Sequence, residues 1–219
     1  VLNQMYRYAK KYYDVEDITK TLEIEYTDSA NPIHKPFTQN EIDWLWDHSD
    51  DYRAQFVLMM IYTGVRPQEF VKIETKNVYL DENYFVGGLK TDAGRERIIP
   101  IHSKVKKFFE SNYHPEKQYL IMKSNFKELT YRDRHDNFSY ALFINTVWTP
   151  YMCEIGMDHL GHDPRHTFAT LMDKANVPDN ILKSIMGHAQ TDEKGRIDVT
   201  NAVYIHKTIE DLREAVEKI

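Results

Sequence analysis

The stretch HDPRHTFAT at 162–170 sets His162, Arg165 and His166, three groups able to carry positive charge, at what reads as the start of a helix. A helix start leaves N–H groups unpaired and presents the positive end of a dipole, so an arginine and histidines placed there build a site for an anion, above all a phosphate. Similar groups stand elsewhere along the chain. Arg66 follows Thr63-Gly64 and precedes Pro67, with Glu69 three positions on; Lys90 lies in GGLKTDAG; His188 follows Gly187. Each has an ordinary reading: a lone arginine is usually a solvated surface group, a lone histidine a packing residue, and a hairpin lysine a device that keeps a sheet edge soluble. Taken together they weigh more than any one of them does alone. A metal site is the rival chemistry, because His162 and His166 are four apart and His188 or Cys153 would complete a ligand set. Against it, no glutamate stands between the two histidines, and Arg165 would repel a cation.

The elements that must position these groups are legible as patterns. In PFTQNEI, Thr38 caps a helix with Glu41 three later as in a capping box, and Phe37 staples against Ile42. An apolar helix over 52–62 stops at Thr63-Gly64, and the next begins with Pro67 in its first turn, so Arg66 sits at a helix-to-helix corner. NVYLDENYFVGGLKTDAGRERIIPI reads as three short antiparallel strands parted by DEN and TDAG, with Lys90 at or beside the second turn. Helices are expected over 103–113, with Val105, Phe108 and Phe109 inward, and over 138–152, with Phe143, Val147 and Trp148 inward, where Pro150 should kink or end the element. Asp163 is the expected N-cap of the next helix, Pro164 its first residue, and Phe168, Leu171 and Met172 its buried stripe. DNILKSIMGH buries Ile181, Leu182, Ile185 and Met186 and stops at Gly187. The tail KTIEDLREAVEKI puts Ile209, Leu212, Val216 and Ile219 on one stripe, with Glu210 and Arg213 among the polar positions.

The fold class is therefore α+β, mainly α-helical, with a small three-stranded antiparallel sheet at one edge. Residues 1–20 are expected to form a terminal helix belonging to an upstream domain, 21–36 a linker broken by Asn-Pro, and 37–219 the main domain, ending in the amphipathic helix. The 219 residues suffice for a sizeable core, and 42% hydrophobic residues with charge spread along the chain argue against disorder. Cys153 is the single thiol, which excludes an internal disulfide and points to a reducing compartment; no apolar run reaches the length of a membrane span. The expected location is the cytoplasm. A net charge of −6 sits awkwardly with nucleic-acid binding unless basic residues gather locally. Lys72, Lys76, Arg95, Arg97, Lys123, Lys127, Arg132 and Arg134 are the candidates for such a face.

In combination and order, these motifs resemble the catalytic domain of the tyrosine recombinases, the phage and transposon integrase family. YTGVRPQEF is similar to the family's first box, GGLKTDAGRERIIPI to its β-hairpin, HDPRHTFAT to its His-x-x-Arg box, SIMGHAQ to its Leu-Gly-His box, and IDVTNAVYIH to the segment of its nucleophile. The resemblance covers the chain from about Pro36 to the end. It implies Arg66, Lys90, His162, Arg165, His188 and Tyr204 as catalytic residues, with Glu69 and His166 in support and no metal or other cofactor. The implied activity is site-specific cleavage and rejoining of double-stranded DNA through a 3′-phosphotyrosyl intermediate, in integration or excision of a phage or conjugative transposon. It also implies a synaptic tetramer on DNA, linked through the helix 207–219 docked into a neighbouring protomer, and an accessory DNA-bending factor. The chain departs from the pattern in TDEKGR, which lengthens the interval between His188 and Tyr204 and reads as a polar loop insertion. Two relatives of this reading stay open: a catalytically silent DNA-binding protein of the same fold, and a tyrosine-dependent topoisomerase that nicks and reseals one strand.

Overall fold

The computed structural model describes residues 2–13, 34–88, 96–125, 136–188 and 208–219. Lys90 and Tyr204 lie outside the described residues, as do Arg95, Lys127, Arg132 and Arg134. The chain divides into two compact units, Val1–Ile33 and His34–Ile219. The first contains helix α1 (Leu2–Tyr13), with Lys10 and Lys11 in its last turn, where cations complement the helix dipole.

The second unit is built around α3 (Tyr52–Thr63), whose residues from Phe56 to Thr63 are all buried. A helix that is apolar all round has to be enclosed by others. Before it runs α2 (Gln39–Asp47), started by the expected box: Thr38 accepts from the Glu41 N–H while the Glu41 carboxylate accepts from the Thr38 N–H. α4 (Pro67–Phe70) follows directly, then α5 (Ser103–Asn112), and Phe56, Phe70, Phe138 and Phe143 interlock as an aromatic cluster at tilted and edge-on angles. The sheet has the order β1 (Val78–Tyr79), β2 (Tyr84–Gly87), β3 (Arg97–Pro100), antiparallel throughout, with Phe85 opposite Ile99 and Gly87 opposite Arg97.

The region over 138–152 differs from its sequence reading. α6 (Tyr140–Phe143) passes through a π-helical turn at Ile144–Trp148 into α7 (Thr149–Glu154). Pro150 neither ends nor breaks this run. A proline lacks the N–H for an α-helical bond and its ring crowds the carbonyl four residues back, and the widened turn before it removes both conflicts.

A second core lies under α8 (Asp163–Lys174), α9 (Asp179–Met186) and α10 (Ile209–Val216), where Phe168, Met172, Ile185, Met186, Leu212, Ala215 and Val216 pack together with Ile98 of β3 alongside. In this single chain α10 lays its stripe on its own domain. Its end is fixed as well: the Ile219 carbonyl accepts from His102 Nε2 at 2.8 Å, and Glu217 accepts from the Ser103 N–H and hydroxyl.

Candidate active site

Two turns set the arginines. α3 ends at Gly64 with φ +63, a left-handed conformation that glycine adopts without steric cost. Space excludes a side chain as well, since a β-carbon on Gly64 would lie 2.3 Å from the Phe168 ring. Gly64→Ala is thus expected to lose about 2 kcal/mol or more, from left-handed strain and overpacking together. Thermal denaturation tests this, and an unchanged melting temperature would sink the account. Two residues on, Arg66 is the N-cap of α4. Its N–H donates to Glu69 Oε2 at 3.1 Å and its Nη1 to Glu69 Oε1 at 3.0 Å, while the side chain stays 30% exposed.

Glu69 holds a second guanidinium. Arg97 donates from Nη2 to Oε2 at 2.6 Å and from Nη1 to Oε1 at 3.1 Å, and its Nε donates to the Ile185 carbonyl at 2.8 Å. Burial alone would raise the Glu69 pKa, but the hydrogen bonds and charge of Arg97, with Arg66 behind them, win and hold it at about 2. Arg97 is thus a buried buttress, and not part of a basic outer face as its sequence position implied. Lys123 is buried too. Of that proposed face, Lys72 and Lys76 are exposed among the described residues, and Lys76 pairs with Glu74.

Arg165, one turn into α8, is 5% exposed and sits at the meeting of three segments. Its Nη1 donates to the Gly64 carbonyl at 2.7 Å and its Nη2 to the Met186 carbonyl at 2.6 Å, with His188 Nε2 at 2.9 Å. A guanidinium can only donate, so His188 Nε2 is an acceptor and this imidazole is neutral with its proton on Nδ1. No carboxylate lies in salt-bridge range of Arg165 among the described residues. Burial first, then the charges of Arg66 and Arg97, push its pKa down to about 9, which leaves it a cation at neutral pH. Arg66 and Arg97 pair with Glu69 while Arg165 adds a third guanidinium without an ion pair among the described residues, so positive charge is in excess here and partly shielded from water.

The histidines respond to this excess. His188 and His162 both titrate below the ordinary 6.5, through burial first and then the nearby cations: Arg165, Arg66 and Arg97 for His188, and His34, Arg165, His166 and Arg66 for His162. His166 is lowered by burial and His34. Binding of an anion would offset the guanidinium field, so inorganic phosphate is expected to raise the His188 titration midpoint, read by NMR of the ring carbons. A midpoint that stays put or falls would count against an anion pocket here.

His162 itself is the N-cap of α8, and Asp163 is its first residue, which corrects the expected capping role of Asp163. The Asp163 carboxylate is turned back and buried, accepting from the Leu160 N–H at 2.8 Å. Pro164 then suits the first turn, where no N–H is required. Glu69 thus ties Arg66 to Arg97, Arg165 touches His188, and the two groups meet at neighbouring main-chain carbonyls, Ile185 taken by Arg97 and Met186 by Arg165, while His162 and His166 stand at the start of α8. Sequence reasoning missed Arg97; the signal was a single arginine in a strand opposite Gly87. Among the described residues no group of three or more metal-ligating side chains comes together.

Comparison with known proteins shows this helical domain with its three-stranded edge sheet to be a tyrosine-recombinase catalytic domain, an enzyme of the DNA strand-transferase class. The chain belongs to the phage integrase family, whose model matches residues 35–208. It is 25% identical over 224 residues to the tyrosine recombinase XerA of Pyrococcus horikoshii, covering 99% of this chain and 73% of that protein. Among solved structures it is similar to the integrase from mycobacterium phage Brujita, with a TM-score of 0.64 at 16% identity, covering 99% of this chain and 68% of the other. It is also similar to the Tn1549 transposon integrase in complex with circular intermediate DNA, with a TM-score of 0.56 at 17% identity, covering 91% and 68%.

Proposed function

We propose that this domain cleaves and rejoins double-stranded DNA at specific sites through a 3′-phosphotyrosyl intermediate, with Tyr204 as the nucleophile. The observation that carries the reading is Arg165: a buried cation aimed by two main-chain carbonyls and lacking a carboxylate partner among the described residues. Arg66 and Arg165 would grip the non-bridging oxygens of the scissile phosphate and stabilise the added charge of the five-coordinate transition state. Tyr204 attacks phosphorus as its proton passes towards His162, whose lowered pKa keeps it a neutral acceptor at pH 7. The P–O5′ bond breaks, Lys90 supplies the proton to the departing 5′ oxygen, and His188 donates to the phosphate. Glu69 orients Arg66 through its carboxylate, and His166 supports the helix start. Attack by the 5′ hydroxyl of another strand reverses the step and reseals the DNA without ATP.

Similarity to a phage integrase and to a transposon integrase bound to circular intermediate DNA supports a role in moving a genetic element in or out of a chromosome. A synaptic tetramer, an accessory bending factor and a cytoplasmic setting belong to the same proposal. Among the described residues no helix is long and apolar enough to cross a membrane. A second reading is a topoisomerase that works without partner exchange, for which α10 packed on its own domain suffices. Incubation with a random-sequence duplex library carrying single-strand nicks should yield DNA linked to the protein on a denaturing gel, with the modified peptide mapped to Tyr204 by mass spectrometry. An adduct on another tyrosine overturns the assignment. Binding without any adduct favours a silent DNA-binding protein, and relaxation of supercoiled plasmid without strand exchange favours the topoisomerase.

A further inference from the structure

The segment entering the second unit touches the start of α8 at several points. His34 Nδ1 lies 2.9 Å from Asp163 Oδ1, and its ring stacks on His166 with centroids 4.8 Å apart and 6.1 Å from His162. Lys35 donates to Asp158 at 2.9 Å, the Phe37 N–H donates to Thr167 Oγ1 at 2.8 Å, and the Phe37 ring stacks on His159 at 3.7 Å. Every one of these contacts falls on residues 158–167, the turn and first helical residues that carry His162 and Arg165.

Asp163 is the hub. Its side chain is 1% exposed, and Oδ2 accepts from the Leu160 N–H and lies 3.2 Å from His159 Nδ1, which ties the turn 159–162 to the helix. On Oδ1 the partner is His34 alone among the described residues. A carboxylate accepts, so His34 Nδ1 must carry the hydrogen. With that bond gone, a buried anionic oxygen loses its donor, and the cheapest repair is for the turn to shift.

We propose that His34 is a positioning residue for the phosphate pocket: its hydrogen bond to Asp163 holds the turn that aims His162 and Arg165. This rests on the strand-cleavage reading above. The bond, rather than the stacking on His166, carries the effect, and the residue acts on the chemical step with DNA affinity unchanged.

Three variants separate the parts. His34→Ala removes bond and ring; His34→Asn places an amide N–H where Nδ1–H was; His34→Phe keeps the stacking ring and deletes the bond. At saturating nicked library, His34→Ala is expected to form adduct about tenfold to a hundredfold more slowly, the scale of a small misplacement of catalytic groups, with the dissociation constant for the library unchanged. His34→Asn should recover most of the rate and His34→Phe should not. A wild-type rate in His34→Ala, a rescue by Phe equal to that by Asn, or a loss confined to DNA binding overturns the proposal. Hydrogen exchange of the Leu160 amide gives a readout independent of activity: it should quicken in His34→Ala and return in His34→Asn. If the wild type forms no adduct the proposed function fails on its own, and the Leu160 amide still decides the role of His34, since unaltered exchange in His34→Ala refutes it.

Discussion

Arg165→Lys is expected to slow adduct formation by about 10²–10³-fold, the cost of removing one preorganised donor from a developing oxyanion. Charge alone does not meet the demands of this position. The guanidinium reaches the Gly64 and Met186 carbonyls with separate nitrogens while lying against His188. An ammonium is a compact point charge that cannot span those acceptors and face a phosphate, and it gives up its proton readily when buried. The fold should not suffer in parallel. Arg165 is a buried cation with no carboxylate in range among the described residues, so easing its desolvation offsets the lost hydrogen bonds. The melting temperature is expected to hold or rise while the rate collapses, and added phosphate should stabilise the wild type more than the variant. Single-turnover cleavage and thermal denaturation measure both halves. A rate within tenfold of wild type would overturn the role assigned to Arg165.

Glu69→Gln is expected to act in the opposite pattern, damaging fold and site together. The carboxylate is almost fully buried between Arg66 and Arg97, and breaking a buried ion pair from one side costs about 3–5 kcal/mol because the partner charges remain. The same residue gives the protein an acid limit. Its pKa is about 2 in the fold against an ordinary 4.5, so the folded state prefers the ionised form. The stabilisation is complete above about pH 4.5 and is lost as pH falls towards 2, about 3 kcal/mol in all. Chemical denaturation from pH 6 to 2.5 should therefore show a slope in the wild type that is reduced in Glu69→Gln. Equal slopes would mean that other carboxylates dominate acid unfolding.

Much of the fold was readable because its signals are local. The Thr38–Glu41 box, the Gly64 stop before Pro67 and the three strands each depend on residues within a few positions of one another, and all formed as expected. What was hidden depends on distance along the chain. Arg97 looks like a surface residue in RERIIP until Glu69, 28 positions away, and the Ile185 carbonyl, 88 away, close around it. Asp163 reads as a cap because aspartate before proline normally is one, yet Leu160 and His34 draw its carboxylate inward. His34 lay in a stretch taken for linker. An amphipathic stripe such as that of α10 states that it will be covered, and only the facing surface of Phe168, Met172 and Ile185 says by what.

The atoms that aim Arg165 belong to the main chain. A peptide carbonyl is present whatever side chain its residue bears, so substitutions at and around Met186 can accumulate without deleting the acceptor. The sensitive points are instead those that set the path of the backbone, the left-handed Gly64 and the left-handed Gly187 after α9. A side chain hung on peptide groups gains tolerance to genetic drift, and a lineage can rewrite most of the surrounding residues while the guanidinium stays where it was.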